Sequence, residues 1–228
     1  MNTYFISGLG ADQRIFSRLK LSEKITVIHI DWIDPHKNES LEAYAERLSQ
    51  IIDTSRPFAL VGVSFGGMIA VEMAKRLKPV ATIIISSTML SSHLPGLYRF
   101  AGKLKLLKFI PAKFLKASNK LTQHYFFGTK SSNEKILLNR IVNDTDPNFL
   151  KWAIGSILSW RNKTIPERIY HIHGTQDKIL YAKIAKPDFV INNGTHFMVY
   201  QNAKQISGII DQLILNNGTE NLTPSVQN

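Results

Sequence analysis

The 228 residues contain no cysteine. That excludes a thiol nucleophile and a disulfide framework, and it fits a chain that works in a reducing cytoplasm. Long apolar runs are also missing. No stretch approaches the ~20 uninterrupted apolar residues that cross a bilayer. The opening Met1-Asn2-Thr3-Tyr4-Phe5-Ile6 has neither the basic start nor the long apolar run of a secretory signal, and reads as a first strand. Carboxylates are scarce, 17 against 28 Lys and Arg, for a net charge of +11. Such an excess invites a nucleic-acid or membrane reading. Most of it is local, however. Between His93 and Lys135 stand nine basic residues against the single Glu134. No helix-turn-helix or RNA-binding signature accompanies them, so no nucleic-acid partner is expected. What the chain has in quantity is apolar side chain, 44% of residues, enough for one large α/β domain or one domain with an insertion.

The most informative stretch is Gly62-Val63-Ser64-Phe65-Gly66. Phe58-Ala59-Leu60-Val61 before it is apolar and of strand length. After it, Met68, Ile69, Val71, Met73, Ala74 and Leu77 continue at helical spacing. A G-x-S-x-G between a buried strand and a helix is a nucleophile elbow. The turn holds the serine in a strained conformation and lifts its hydroxyl toward the helix N-terminus, where backbone N–H groups are free. The competing reading is a phosphate-binding or merely tight turn. The pattern is not G-x-G-x-x-G, and no Gly-Lys-Ser/Thr follows.

Strands are expected at residues 3–6, 25–30, 58–63 and 80–85, separated by helical patterns over 13–19, about 40–52 and 68–77. Close alternation of this kind means a parallel sheet with right-handed crossovers. From Met89 to Arg161 no convincing strand occurs, and apolar residues recur at helical spacing. This is expected to be a helical cap over the carboxyl ends of the strands. Strands resume at 168–172 and 189–191, and a closing helix runs from Asn202 to Leu215. The resulting division is a core of residues 1–88 and 162–215, a cap of 89–161, and a disordered polar tail of 216–228.

A serine hydroxyl needs a base, and the base an acid to orient it. Both should lie at the strands' carboxyl ends. Of seven histidines, only His196, in Asn193-Gly194-Thr195-His196-Phe197, directly follows the last strand and precedes the last helix. Asp177, in His173-Gly174-Thr175-Gln176-Asp177, ends the strand before. The plainer alternative is that it merely caps a short helix starting near Lys178. No carboxylate follows the fourth strand, where Ser86, Ser87 and Thr88 stand, and Asp188 precedes its strand.

The order Ser64, Asp177, His196 resembles that of the α/β-hydrolases. The chain is similar to a compact, capped serine hydrolase of that fold over nearly Met1 to Leu215. The resemblance implies a mostly parallel sheet of about six strands flanked by helices, since the chain begins at the equivalent of the family's third strand. It implies that Ser7-Gly8-Leu9-Gly10 is the oxyanion loop, with the backbone N–H groups of Leu9 and Phe65 holding the oxyanion. The family often has His-Gly where Ser7-Gly8 stands. The short interval from Asp177 to His196 implies a reduced helix there.

The expected chemistry is cleavage of a carboxylic ester or thioester through an acyl-enzyme, without metal or cofactor. Trp32, Tyr98, Phe126, Phe127, Trp152 and Trp160 are candidates to line an apolar acyl pocket, and are equally placed to form the cap's own core. Lys103-Leu104-Lys105-Leu106-Leu107-Lys108 is amphipathic and basic. It is a candidate surface for an anionic carrier such as coenzyme A or acyl-carrier protein, or for an acidic membrane, against the plainer reading of a solvated lysine face. The alternatives are a lyase or C–C-bond hydrolase using the same triad, and a non-catalytic ligand-binding relative.

Overall fold

The computed structural model describes residues 1–103, 107 and 110–220. The basic stretch from Lys103 to Lys108 falls mostly on residues that lie outside the described ones, as does the tail from residue 221. In chain order the elements are β1 (Asn2–Ile6), a 3-10 turn (Gln13–Phe16), β2 (Thr26–Ile30), α1 (Leu41–Leu48), β3 (Phe58–Val63), α2 (Phe65–Leu77) and β4 (Ala81–Ile85). Then come α3 (Gly96–Lys103), α4 (Ala112–Phe127), α5 (Ser132–Asp144) and α6 (Pro147–Ser159), followed by β5 (Ile169–Gly174), α7 (Ala182–Ala185), β6 (Phe189–Ile191), α8 (Met198–Gln201) and α9 (Ala203–Glu220).

The six strands form one sheet in the order β2-β1-β3-β4-β5-β6, every pair parallel. Parallel strands need crossovers, which cover both faces and leave the central strands dry. Every residue of β3 and β4 is buried, as their almost wholly apolar sequences require. One face of the sheet packs against α1, α2 and part of α6, through Tyr44, Leu48, Ile69 and Ala153. The other packs against the 3-10 turn, α8 and α9, through Phe16, Met198, Ile206 and Ile210. Among the described residues no helix is long and apolar enough to cross a membrane.

Two local expectations change. The helix expected over 13–19 is only a 3-10 turn: Asp12 caps its start at the Arg14 N–H, and the Leu19 N–H closes a further turn on the Phe16 carbonyl at 2.9 Å. The closing helix continues to Glu220 in place of a polar tail from residue 216. Asn217 sustains it, donating to the Leu213 carbonyl at 2.7 Å and accepting from the Tyr170 hydroxyl at 3.0 Å.

The turn from β3 into α2 fixes where the site will be. Ser64 sits at φ 52°, ψ −117°, a region that side chains rarely adopt. Ser87 Oγ donates to the Ser64 carbonyl at 2.6 Å and pins the strained peptide. Gly66 lies so close to the end of β1 that a Cβ there would come within 2.8 Å of the Ile6 carbonyl carbon, and closer still to the carbonyl oxygens of Ile6 and Ser7. Backbone cannot give way as a flexible side chain can. Gly66→Ala is therefore expected to cost about 3 kcal/mol or more, a fall in Tm of roughly 6–12 °C for a chain of this size. Thermal unfolding followed by circular dichroism checks it, and an unchanged Tm would contradict the tight elbow.

Candidate active site

Ser64, Asp177 and His196 come from three different loops at one edge of the sheet: after β3, after β5 and after β6. His196 Nε2 lies 2.9 Å from Ser64 Oγ, and His196 Nδ1 lies 2.7 Å from Asp177 Oδ2. The aspartate and the histidine are both buried. A carboxylate can only accept, so Nδ1 carries the proton and Nε2 is left as the acceptor facing the serine hydroxyl. This is the geometry in which the hydroxyl can lose its proton as it attacks.

Asp177 is placed for both tasks that its position suggested. Oδ1 accepts the N–H groups of Ile179 and Leu180, at 2.8 and 2.9 Å, and so caps the following turn. Oδ2 faces His196. Burial alone would raise its carboxyl, but the nearby His196 and His173 outweigh that and hold it well below the usual carboxylate range.

The role of His173 is not apparent from sequence. It lies inside β5, fully buried, with Nε2 3.2 Å from Asp177 Oδ2 and 2.9 Å from the Leu180 carbonyl. His171 follows behind, its Nε2 2.8 Å from His173 Nδ1. The Leu180 carbonyl fixes the proton on His173 Nε2, so a neutral His173 accepts at Nδ1 and His171 donates. Burial and the neighbouring His173 push His171 down to about 3. The only signal in the sequence is alternation: residues 171, 173 and 175 share one face of the strand.

At the other side of the serine, the loop after β1 is held by Ala11 N–H to the Gly8 carbonyl at 2.9 Å and by Ser7 Oγ and Trp32 Nε1 donating to the Ala11 carbonyl at 2.7 and 2.8 Å. No described residue accepts the N–H of Leu9 or of Phe65. Phe65 opens α2, where the first N–H groups have no intrahelical partner and the helix dipole favours negative charge.

A cavity of about 540 Å3 opens on Ser64, Gly8 and His196. Tyr98 of α3, Phe127 of α4, Ile141 of α5, and Ile154 and Ile157 of α6 line it, and no Asp, Glu, Lys or Arg stands among the described residues of its wall. The inserted helices thus complete the site. Of the aromatic residues named from sequence, Tyr98, Phe126 and Phe127 are on this wall, and Phe127 meets the His196 ring edge-on at 5.3 Å. Trp32, Trp152 and Trp160 are not. Each is held by its indole N–H in the packing beneath the cap: Trp32 to the Ala11 carbonyl, Trp152 to the Glu39 carbonyl, and Trp160 to the buried Glu72. Amphipathic spacing marks a face as buried without saying what it is buried against. The wall is instead mostly aliphatic, which composition did not single out. Among the described residues no group of His, Cys, Asp or Glu side chains is arranged to hold a metal ion.

Comparison with known proteins bears on this arrangement. The model of the alpha/beta hydrolase family matches residues 4–206. The chain belongs to the alpha/beta hydrolase family. No curated protein matches it in sequence. Solved structures similar to this hydrolase include a thermophilic esterase from Thermogutta terrifontis, at 12% identity and a TM-score of 0.70 over 95% of this chain and 90% of the other. MenH from S. aureus is similar at 16% identity and a TM-score of 0.71, over 96% and 94%. A putative lipase from Acinetobacter baumannii is similar at 17% identity and a TM-score of 0.68, over 96% and 85%. At these identities the likeness establishes the hydrolase fold, and the chemistry must be argued from the residues.

Proposed function

We propose that this chain is a serine hydrolase that cleaves an uncharged, apolar carboxylic ester or thioester through a Ser64–His196–Asp177 triad and an acyl-enzyme. The observation that carries this is the unbroken chain of hydrogen-bonding distances from Asp177 Oδ2 through His196 to Ser64 Oγ, at the mouth of a cavity whose described wall holds no Asp, Glu, Lys or Arg. The names of several structural neighbours, esterases and a putative lipase, agree with it.

In this reading Ser64 Oγ attacks the carbonyl carbon as its proton passes to His196 Nε2. Asp177 stabilises the imidazolium that forms. The carbonyl oxygen becomes an oxyanion held by the Leu9 and Phe65 N–H groups, each donor worth roughly 3 kcal/mol in the transition state. Collapse breaks the carbonyl–oxygen or carbonyl–sulfur bond, and His196 returns its proton to the leaving alcohol or thiol. A water, deprotonated by the same histidine, then attacks the acyl-enzyme and releases the acid and free Ser64.

An apolar pocket of this size accepts a substantial acyl or aryl group. A series of p-nitrophenyl esters of increasing acyl length, with Ser64→Ala as blank, tests the reading. Serine-dependent turnover rising with chain length to an optimum is expected, and absence of turnover at every length would contradict it. Equal-length coenzyme A thioesters added to the series would, if strongly preferred, assign the basic residues of the cap to an anionic carrier. Ile154→Trp fills part of the cavity. It is expected to lower turnover of the longest good substrate about 10-fold or more relative to the acetyl ester, since each displaced methylene is worth about 1–3 kcal/mol. An unchanged length preference would remove the cavity from the acyl site.

A further inference from the structure

Glu134 is the single carboxylate in the most basic part of the chain, and among the described residues its carboxylate is engaged by a backbone N–H and an amide and not by a lysine ammonium. It lies at the third position of α5, after the cap residue Ser131, whose Oγ accepts the Glu134 N–H at 3.3 Å. A glutamate there commonly turns back to its own helix start. Glu134 Oε2 does so, accepting the Lys130 N–H at 2.7 Å, and also accepts from Gln201 Nε2 at 2.7 Å. It is buried at 7% exposure, so this second bond is made away from water.

Gln201 is fully engaged. Its Nε2 also donates to the Gly128 carbonyl at 3.0 Å, and its Oε1 accepts from the Thr195 hydroxyl at 2.7 Å. Thr195 precedes His196, and on the other side of His196 the Phe197 N–H donates to the Phe127 carbonyl at 3.2 Å. Gly128, at φ +69°, lets this turn of the cap approach so closely that a Cβ would meet Thr195 Cβ at 2.6 Å. The histidine loop is therefore bound on both sides of His196 by the start of α5 and the turn before it.

The other end of α5 grips the loop on the opposite side of the serine. Thr145 caps the helix, and its Oγ1 lies within hydrogen-bonding distance, 2.8 Å, of both the Gly10 carbonyl and the Ile141 carbonyl. Arg14 bridges Asp12 and Asp144, at 2.6 and 2.7 Å. Lys116 of α4 holds the same end by donating to the Asn143 and Thr145 carbonyls. A 13-residue helix is about 20 Å long and rigid.

We propose that α5 is a strut that sets the distance between the two halves of the catalytic machinery, with Glu134 and Gln201 as positioning residues for His196 and Thr145 as the positioning residue for the Leu9 loop. The proposal rests on the triad reading above. Releasing either end loosens both halves, because a strut held at one end sets no distance.

The test is the rate at which a fluorophosphonate probe labels Ser64 in Glu134→Ala, Thr145→Val and the double variant, with Tm measured for each. Each single change is expected to slow labelling about 10-fold or more, as small displacements of reacting groups do. The double variant should be little slower than the worse single one. Sites this far apart with no shared partner normally act independently, so losses that multiply would overturn the strut, as would unchanged labelling rates. Glu134→Gln keeps an acceptor for Lys130 and Gln201 and should recover most of the loss. Failure to do so would reduce Glu134 to a charge effect and overturn its positioning role. If Glu134→Ala does not fold, Gln201→Met makes the same break from the other side. A wild-type chain that does not label overturns the triad reading and the strut with it, whereas labelling unaffected by the variants overturns the strut alone.

Discussion

Ser64→Ala is expected to lower ester turnover by about 10^4-fold or more while leaving the fold intact. The magnitude follows from removing the nucleophile of a triad, after which only binding and oxyanion stabilisation remain. Two neighbouring hydroxyls are already engaged. Ser87 Oγ donates to the Ser64 carbonyl, and Ser7 Oγ donates to the Ala11 carbonyl. The fold should tolerate the change because the strain at position 64 is in the backbone, φ 52°, and alanine bears it as serine does. The bond lost is the one to His196, a group with Asp177 still in place. Steady-state kinetics and Tm on the same preparation check both halves. Turnover within 10-fold of wild type would remove Ser64 from the reaction.

Asp177→Asn is expected to be nearly as damaging, about 10^4-fold in kcat, for a reason particular to this site. Oδ1 accepts two backbone N–H groups, so the asparagine must keep its carbonyl oxygen there. Its NH2 then lies where Oδ2 was, facing His196 Nδ1 and His173 Nε2. A donor now meets His196 Nδ1. The imidazole answers by carrying its proton on Nε2, the atom that must receive the proton of Ser64. Nucleophile, base and cavity all remain, in the wrong tautomer.

The same substitution should alter acid stability in a defined direction. The Asp177 carboxyl titrates below its unfolded range because His196 and His173 favour its ionised form against the effect of burial. A depressed folded value stabilises the protein fully above the unfolded carboxylate range, and that stabilisation is lost as pH falls through it toward the lower folded value. The stability difference between wild type and Asp177→Asn should therefore shrink on acidification below about pH 4. Urea unfolding at a series of pH values reads it, and a difference that grew in acid would contradict the assigned direction.

Much of this architecture is legible in the chain because its signals are local. An apolar run such as Phe58–Val63, buried throughout, can only be an inner strand, and the elbow after it needs glycine because backbone crowds backbone. Asp177 and His196 follow from topology, since strands of a parallel sheet deliver their loops to one edge. What is not legible depends on which surfaces meet. Trp152 lies on α6 and Trp160 at its end, and their bulk and apolarity say only that they pack inward. Only the packing of α6 decides that their indoles serve Glu39 and Glu72 and not the cavity. His173 could be recognised as inward-facing, but its approach to Asp177 depends on the loop that closes over Leu180. The pairing of Glu134 with Gln201 joins residues 67 apart in sequence, and no local pattern encodes it.

The most direct test of the account is the site of covalent capture. The chain is treated with a fluorophosphonate, and the adduct is located by peptide mass spectrometry in wild type, Ser64→Ala and Asp177→Asn. The account predicts one equivalent of label on Ser64 of the wild type, none on Ser64→Ala, and labelling of Asp177→Asn slowed by orders of magnitude. Label on another residue, or a wild-type chain that stays unlabelled while folded, would contradict it.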